Sequence, residues 1–176
     1  MTPAHNPLDN WLTRRPPRPD LRGGRRFAVE FYFFGLKEAR ACLFAGLFFL
    51  AMFAVPRGGL FGVARYDVLL VFALAVQTAM LALKLETWDE VKAVTLFHIV
   101  GFVLELFKTS SAVGSWSYPD PALSKIGGVP LFAGFMYAAV GSYIIQAWRL
   151  FDLKIESHPP YWLATLCSLL IYVNFF

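Results

Sequence analysis

The feature that most constrains this chain is the grouping of its apolar residues into long blocks that charges seldom interrupt. Residues 36–55, 68–85, 91–107, 129–150 and 161–176 form five such blocks. Each approaches the run of about 20 residues with which a helix crosses a bilayer. In lipid a spanning segment must bond its own backbone polar groups, which makes helix the expected form. The chain therefore reads as all-α: a polytopic transmembrane helical bundle with about five spans and a cytoplasmic N-terminus. Composition agrees, since 57% of residues are hydrophobic and only 16% charged, where a soluble domain carries about 25% charged.

The sequence divides into a basic arm over residues 1–26 and a transmembrane domain over 27–176. The arm holds five prolines and six arginines (Arg14, Arg15, Arg18, Arg22, Arg25 and Arg26) with little apolar periodicity. It reads as a flexible or extended segment that packs no core. Its arginines either dock on anionic lipid or bind a partner subunit. Residues 27–35 read as an interfacial lead-in, with Lys37, Glu38 and Arg40 near the headgroups. A break at Pro56, Arg57, Gly58 and Gly59 ends the first block. Pro130 suits the first turn of the fourth helix, and Pro159-Pro160 open the fifth.

With the N-terminus inside, twelve Lys and Arg residues lie on the cytoplasmic side and four (Arg57, Arg65, Lys108 and Lys125) on the other. That is a positive-inside bias, and it fits the inner, cytoplasmic membrane of a bacterium. The first block lacks a following cleavage site and reads as a retained helix. Because the last block runs to Phe176 without a polar exit, the chain is expected to be incomplete at its C-terminus.

Several chemistries are disfavoured. Cys42 and Cys167 sit inside apolar runs with no CxxC partner, as small buried hydrophobes would. His5, His98 and His158 are too scattered for histidine-box di-iron chemistry. A carboxylate-rich metal site from Glu86, Glu90, His98 and Glu105 is imaginable but poorly supported, so no metal is expected. No phosphate loop, GxSxG or haem motif is present, and no cofactor follows from the sequence. The basic cluster directly precedes a membrane block, which disfavours nucleic acid.

Ionisable residues inside a span are expensive and therefore functional candidates. His98 and Glu105 are seven residues apart, on one helix face but about 10 Å apart along the axis. The plainer readings are an imidazole bonded between helices and a carboxylate paired with Lys108 one turn on. Gln77 reads as interhelical glue. Glu86, Asp89 and Glu90, flanked by Lys84 and Lys92, read as a solvated helix end. Residues 114–121 (Gly-Ser-Trp-Ser-Tyr-Pro-Asp-Pro) form either a rigid interfacial belt or a lid over a pocket. Gly134, Ala138, Gly141 and Ser142 make a small-residue stripe for close helix packing.

Together the stretches 37–42 (KEARAC), 86–90 (ETWDE), 97–98 (FH), 105–108 (ELFK), 114–119 (GSWSYP) and 128–137 (GVPLFAGFMY) resemble a bacterial integral-membrane family catalogued as domain of unknown function 817. The resemblance runs from about residue 27 onward and implies further helices but no activity. A shorter stretch is similar to membrane carotenoid hydratases: Glu105, Gly114-Ser-Trp-Ser-Tyr118 and Gly128-Val-Pro-Leu131. That likeness implies a site in which Glu105 protonates a polyene, with His98 nearby and Trp116 and Tyr118 facing the cation. Lys108 departs from it, since pairing would ionise Glu105.

Three functions stay open. They are a non-catalytic subunit or assembly factor of a membrane complex, an enzyme on an isoprenoid or lipid, and a transporter. The partners implied are membrane lipid, other membrane subunits, or a bound isoprenoid or pigment. The charge bias makes a topological prediction. Cysteines placed at Ser111 and Ser124 should react with an impermeant thiol reagent from outside, and one at Ser157 should not. Reversed labelling would overturn the orientation.

Overall fold

The computed structural model describes residues 6–13 and 22–174. These residues are mostly helical: α1 Pro7–Thr13, α2 Gly23–Ala41, α3 Leu43–Ala54, α4 Arg65–Ala82, α5 Trp88–Lys108, α6 Ala133–Phe151 and α7 Tyr161–Asn174. A two-stranded antiparallel hairpin, β1 Lys125–Ile126 and β2 Val129–Pro130, sits between α5 and α6. Among the described residues, α4 is the helix both long and apolar enough to cross a membrane; α3 and α7 are shorter apolar helices.

Local chemistry explains the element ends. Thr87 and Glu90 form a reciprocal capping box at the start of α5: the Thr87 N–H donates to Glu90 Oε2 at 2.7 Å, and Thr87 Oγ1 accepts from Glu90 N. Asp89 and Glu90 in its first turn and Lys108 in its last suit the helix dipole. Gly127 and Gly128 both have positive φ, 58° and 83°. That pair favours a tight hairpin turn over continued helix. The fourth block therefore opens as a strand containing Pro130, and its helix begins only at Ala133. The first block also differs from expectation: α2 and α3 are separate helices broken at Cys42.

The larger departure is at the N-terminus. Pro7–Thr13, expected to be part of an extended arm, is a helix packed against α2 and α6. Leu12 is buried with Ala41, Ala147 and Leu150, and Asp9 is buried by ion pairs that hydropathy does not report. Of the six arm arginines, Arg14, Arg15 and Arg18 lie outside the described residues. Arg22 precedes α2, Arg25 is exposed, and Arg26 pairs with Glu30 at 2.7 Å on the surface.

The larger of two core clusters is drawn from four helices, with Phe44 and Phe48 of α3 meeting Leu69 and Ala73 of α4, Val94 of α5 and Phe135 and Ala138 of α6. The most extensive contact is between α5 and α6. It is close because each helix offers a glycine where the other offers a ring. A Cβ on Gly101 would lie 2.3 Å from Tyr137 Cγ, and one on Gly141 would lie 2.6 Å from Phe97 Cγ. Gly134 faces His98 in the same way, while Ala138 and Ser142 of this stripe are fully buried.

Gly101→Ala should accordingly lower stability by about 1–3 kcal/mol through overpacking. Gly46→Ala, where a Cβ meets nothing within 4 Å, should be neutral or stabilising by up to about 1 kcal/mol. Thermal unfolding in mild detergent checks both; equal effects would contradict the packing.

Candidate functional site

Glu105 lies in the last turn of α5 and is 1% exposed, the most deeply buried charged residue described. A carboxyl group there needs donors on both oxygens. The loop after α5 brings Trp116 and Tyr118 back over the helix end, and both donate to Oε2, the indole N–H at 3.0 Å and the phenol at 2.7 Å. From α6, Tyr137 donates to Oε1 at 2.7 Å. Lys108 donates to the Tyr137 oxygen at 2.7 Å and stands 3.9 Å from Glu105 Oε1. The Lys108 ammonium also lies against three rings, 5.0 Å from the centre of Trp116, 5.3 Å from Tyr137 and 5.9 Å from Tyr172.

The proton directions follow from the donor inventory. An indole N–H only donates, so Oε2 is an acceptor. Tyr137 accepts from an ammonium, which leaves its own proton for Glu105 Oε1. The set suits a carboxylate that accepts three hydrogen bonds, not a carboxylic acid looking for a base. Burial, and then the bond to Glu105, push the Tyr118 phenol above its ordinary range, so it stays a donor.

Loop 109–124 is fixed at its far end too. Asp67, in the first turn of α4, accepts from Leu123 N at 2.8 Å and from Ser124 N at 2.9 Å. Lys125 Nζ donates to the carbonyls of Tyr118 and Asp120, both at 2.7 Å. Tyr66, Tyr118 and Phe132 stack edge and face beneath the loop. Loop 109–124 is thus tied to α4 through Tyr66 and Asp67 and to α5 through Glu105.

A second buried polar group lies at the opposite end of α5. Glu90 accepts from Arg149 Nη1 with both oxygens, at 2.9 and 3.0 Å. Glu86, 3% exposed, accepts from Ser142 at 2.8 Å, from Gln146 at 3.3 Å and from the Gln77 amide. Arg40, expected near the headgroups, is instead buried and bonds Leu85 O at 2.8 Å. The carboxylate cluster 86–90 therefore splits. Asp89 pairs with Lys92 at 3.0 Å in the open, as a solvated helix end would, whereas Glu86 and Glu90 turn inward.

Of the candidate residues, Glu105, Trp116 and Tyr118 meet in one hydrogen-bonded group, and His98 lies apart. Its ring packs on Phe135 at 4.4 Å, and its buried Nδ1 has no hydrogen-bond partner in the described chain. Sequence reasoning missed Tyr137, whose signal was its place at the end of the 128–137 motif. Arg149 and Gln146 were missed as ligands of buried carboxylates, although an arginine ending an apolar block is such a signal. Among the described residues no group of three His, Cys, Asp or Glu is placed to hold a metal ion.

This bundle, with its internally bonded carboxylates, has relatives. The family described as "Protein of unknown function (DUF817)" matches residues 30–176, and the chain belongs to it. It is 43% identical over 143 residues to "Uncharacterized protein YoaT" of Bacillus subtilis (strain 168), a match covering 81% of this chain and 53% of that protein. The chain thus spans about half the length of this curated relative. No solved structure matches. These findings bear on the family, and not on the likeness of residues 105–131 to carotenoid hydratases.

Glu105→Gln should be strongly destabilising despite its near-identical shape. It turns an N–H₂ toward donors and leaves Lys108 without its anion, at a cost of about 3 kcal/mol or more. The combined Glu105→Gln, Lys108→Met chain should recover much of that loss. Unfolding midpoints in detergent check this; additive losses would contradict the coupling.

Proposed function

We propose that the chain is a multi-pass, non-catalytic subunit or assembly factor of a bacterial inner-membrane complex. The observation that carries this reading is Glu105, whose two oxygens accept from Trp116, Tyr118 and Tyr137. A general acid must hold a proton and meet substrate. Here the carboxylate is already spent on binding the chain's own loop. The Trp116 ring that a hydratase would turn to a carbocation lies against the Lys108 ammonium instead. The proton-donor role read for Glu105 is therefore not the one its surroundings favour.

The membrane placement is supported by inverted polarity. Buried positions hold Glu86, Glu90, Glu105 and Gln146, while Phe53 is 87% exposed and Leu50, Val71, Ile99, Val103 and Val140 are also open. A water-soluble fold seldom buries carboxylates while exposing this much apolar surface. Lipid covering α3 to α6 accounts for both, with the charges drawn to the two ends. A partner is supported by α7, an apolar helix whose described side chains are exposed on every face except at Tyr172. Helices in lipid are held by close packing with neighbours, which α7 lacks along most of its length among the described residues.

Cys167, exposed on α7, is a natural reporter. A thiol-reactive crosslinker applied to native membranes should trap one discrete adduct that Cys167→Ser abolishes. A chain that stays monomeric through this treatment would contradict the subunit reading. Membranes containing the protein should also leave a polyene substrate unhydrated, and Glu105-dependent addition of water would restore the enzyme.

A further inference from the structure

Asp9 belongs to a helix of seven residues, yet it is only 5% exposed. Its carboxylate receives the Arg40 guanidinium in a two-pronged fork, Nε to Oδ1 at 2.9 Å and Nη2 to Oδ2 at 3.0 Å. Arg149 Nη2 adds a third bond to Oδ2, at 2.9 Å. Other ties also seat α1: the Asn6 amide bonds Leu83 O at 3.0 Å, Leu12 is buried beside Leu150, and the Trp11 ring lies 5.5 Å from that of Phe33.

The receiving side is built without Asp9. Arg40 and Arg149 share the Leu85 carbonyl, at 2.8 and 3.0 Å, which sets the two guanidiniums side by side. Arg149 is also held by Glu90 and Gln146. Glu86 is bonded by neutral donors and makes no ion pair with either arginine. Among the described residues, Arg40 has a side chain 4% exposed, no carboxylate partner besides Asp9, and a buried Nη1 with no partner. Arg40, Leu85, Glu90, Gln146 and Arg149 all fall within the family match at 30–176, and Asp9 falls outside it.

We propose that Arg40 and Arg149 form a carboxylate-binding site of the bundle, which helix α1 occupies as a tethered plug through Asp9. The planar fork of arginine matches the two oxygens of a carboxylate and selects for that shape. With α1 withdrawn, Arg149 keeps Glu90 while Arg40 keeps no carboxylate among the described residues, which leaves room for one further anion. A carboxylate brought by a soluble organic acid or by a lipid headgroup would compete with α1 for the same donors. This inference does not depend on the proposed subunit role.

The test uses the full chain with Asp9→Ala, which opens a space the size of acetate. Acetate should raise the unfolding midpoint of this variant well beyond chloride at equal ionic strength, and should leave the unsubstituted chain unmoved. Adding Arg40→Gln should abolish the acetate-specific rise. If Asp9→Ala does not fold, Asp9→Asn keeps the shape, and acetate should then speed hydrogen exchange across residues 7–13. Nanodiscs of phosphatidylserine, compared with phosphatidylglycerol, separate the two sources. Stabilisation of the Asp9→Ala chain by phosphatidylserine above phosphatidylglycerol assigns a headgroup, and a response to acetate without that preference assigns a soluble acid. Acetate acting no better than chloride, together with equal effects of the two lipids, would overturn the proposal.

Discussion

A carboxylate removed from water costs several kcal/mol unless each oxygen finds donors, and the helices of this chain are arranged around that constraint. Glu90 and Glu105, at the two ends of α5, are separated by 15 residues, about 22 Å along the axis. Each recruits donors from other elements: Arg149 of α6 at one end, and Tyr137 of α6 with the Trp116–Tyr118 loop at the other. Sliding α6 by one turn along α5 would strand both carboxylates. Register between these helices is therefore set by polar groups at the ends and by glycine–ring contacts between them.

The same arrangement bears on function. A site that performs acid chemistry must keep at least one valence of its acid free for substrate. Both oxygens of Glu105 are engaged by the chain's own donors, and Lys108 lies against Trp116 and Tyr137 beside it. What the group does physically is tie one loop to two helices, to α4 through Asp67 and to α5 through Glu105, with Lys125 of β1 bracing the loop's carbonyls. A rigid end and an exposed apolar α7 are features that suit a component of an assembly.

Much of this was legible in the sequence, for reasons that particular residues make clear. Apolar blocks gave helices because hydropathy is a local property. Glu105, Trp116 and Tyr118 could be grouped because a carboxyl group in an apolar block stands out, and the loop that answers it is only 11 residues away. The glycines of α6 were visible for the same local reason. The α1 helix was not, since its seat depends on Arg40 and Arg149, which lie 31 and 140 residues from Asp9 in sequence. Nothing local distinguishes Asp9 from any acidic residue in a polar tail. The hairpin at Gly127-Gly128 was overridden by the reading of Pro130 as a helix opener, although two adjacent glycines are the stronger turn signal.

The account rests on Glu105 being an ionised, structural carboxylate, and infrared difference spectroscopy reads that state directly. The spectrum of the protein with labelled glutamate, minus that of its stability-restored Glu105→Gln, Lys108→Met variant at neutral pH, isolates this one side chain. The lost bands should be the symmetric and antisymmetric stretches of a carboxylate. A lost carbonyl stretch of a protonated acid would contradict it and return Glu105 to the role of proton donor.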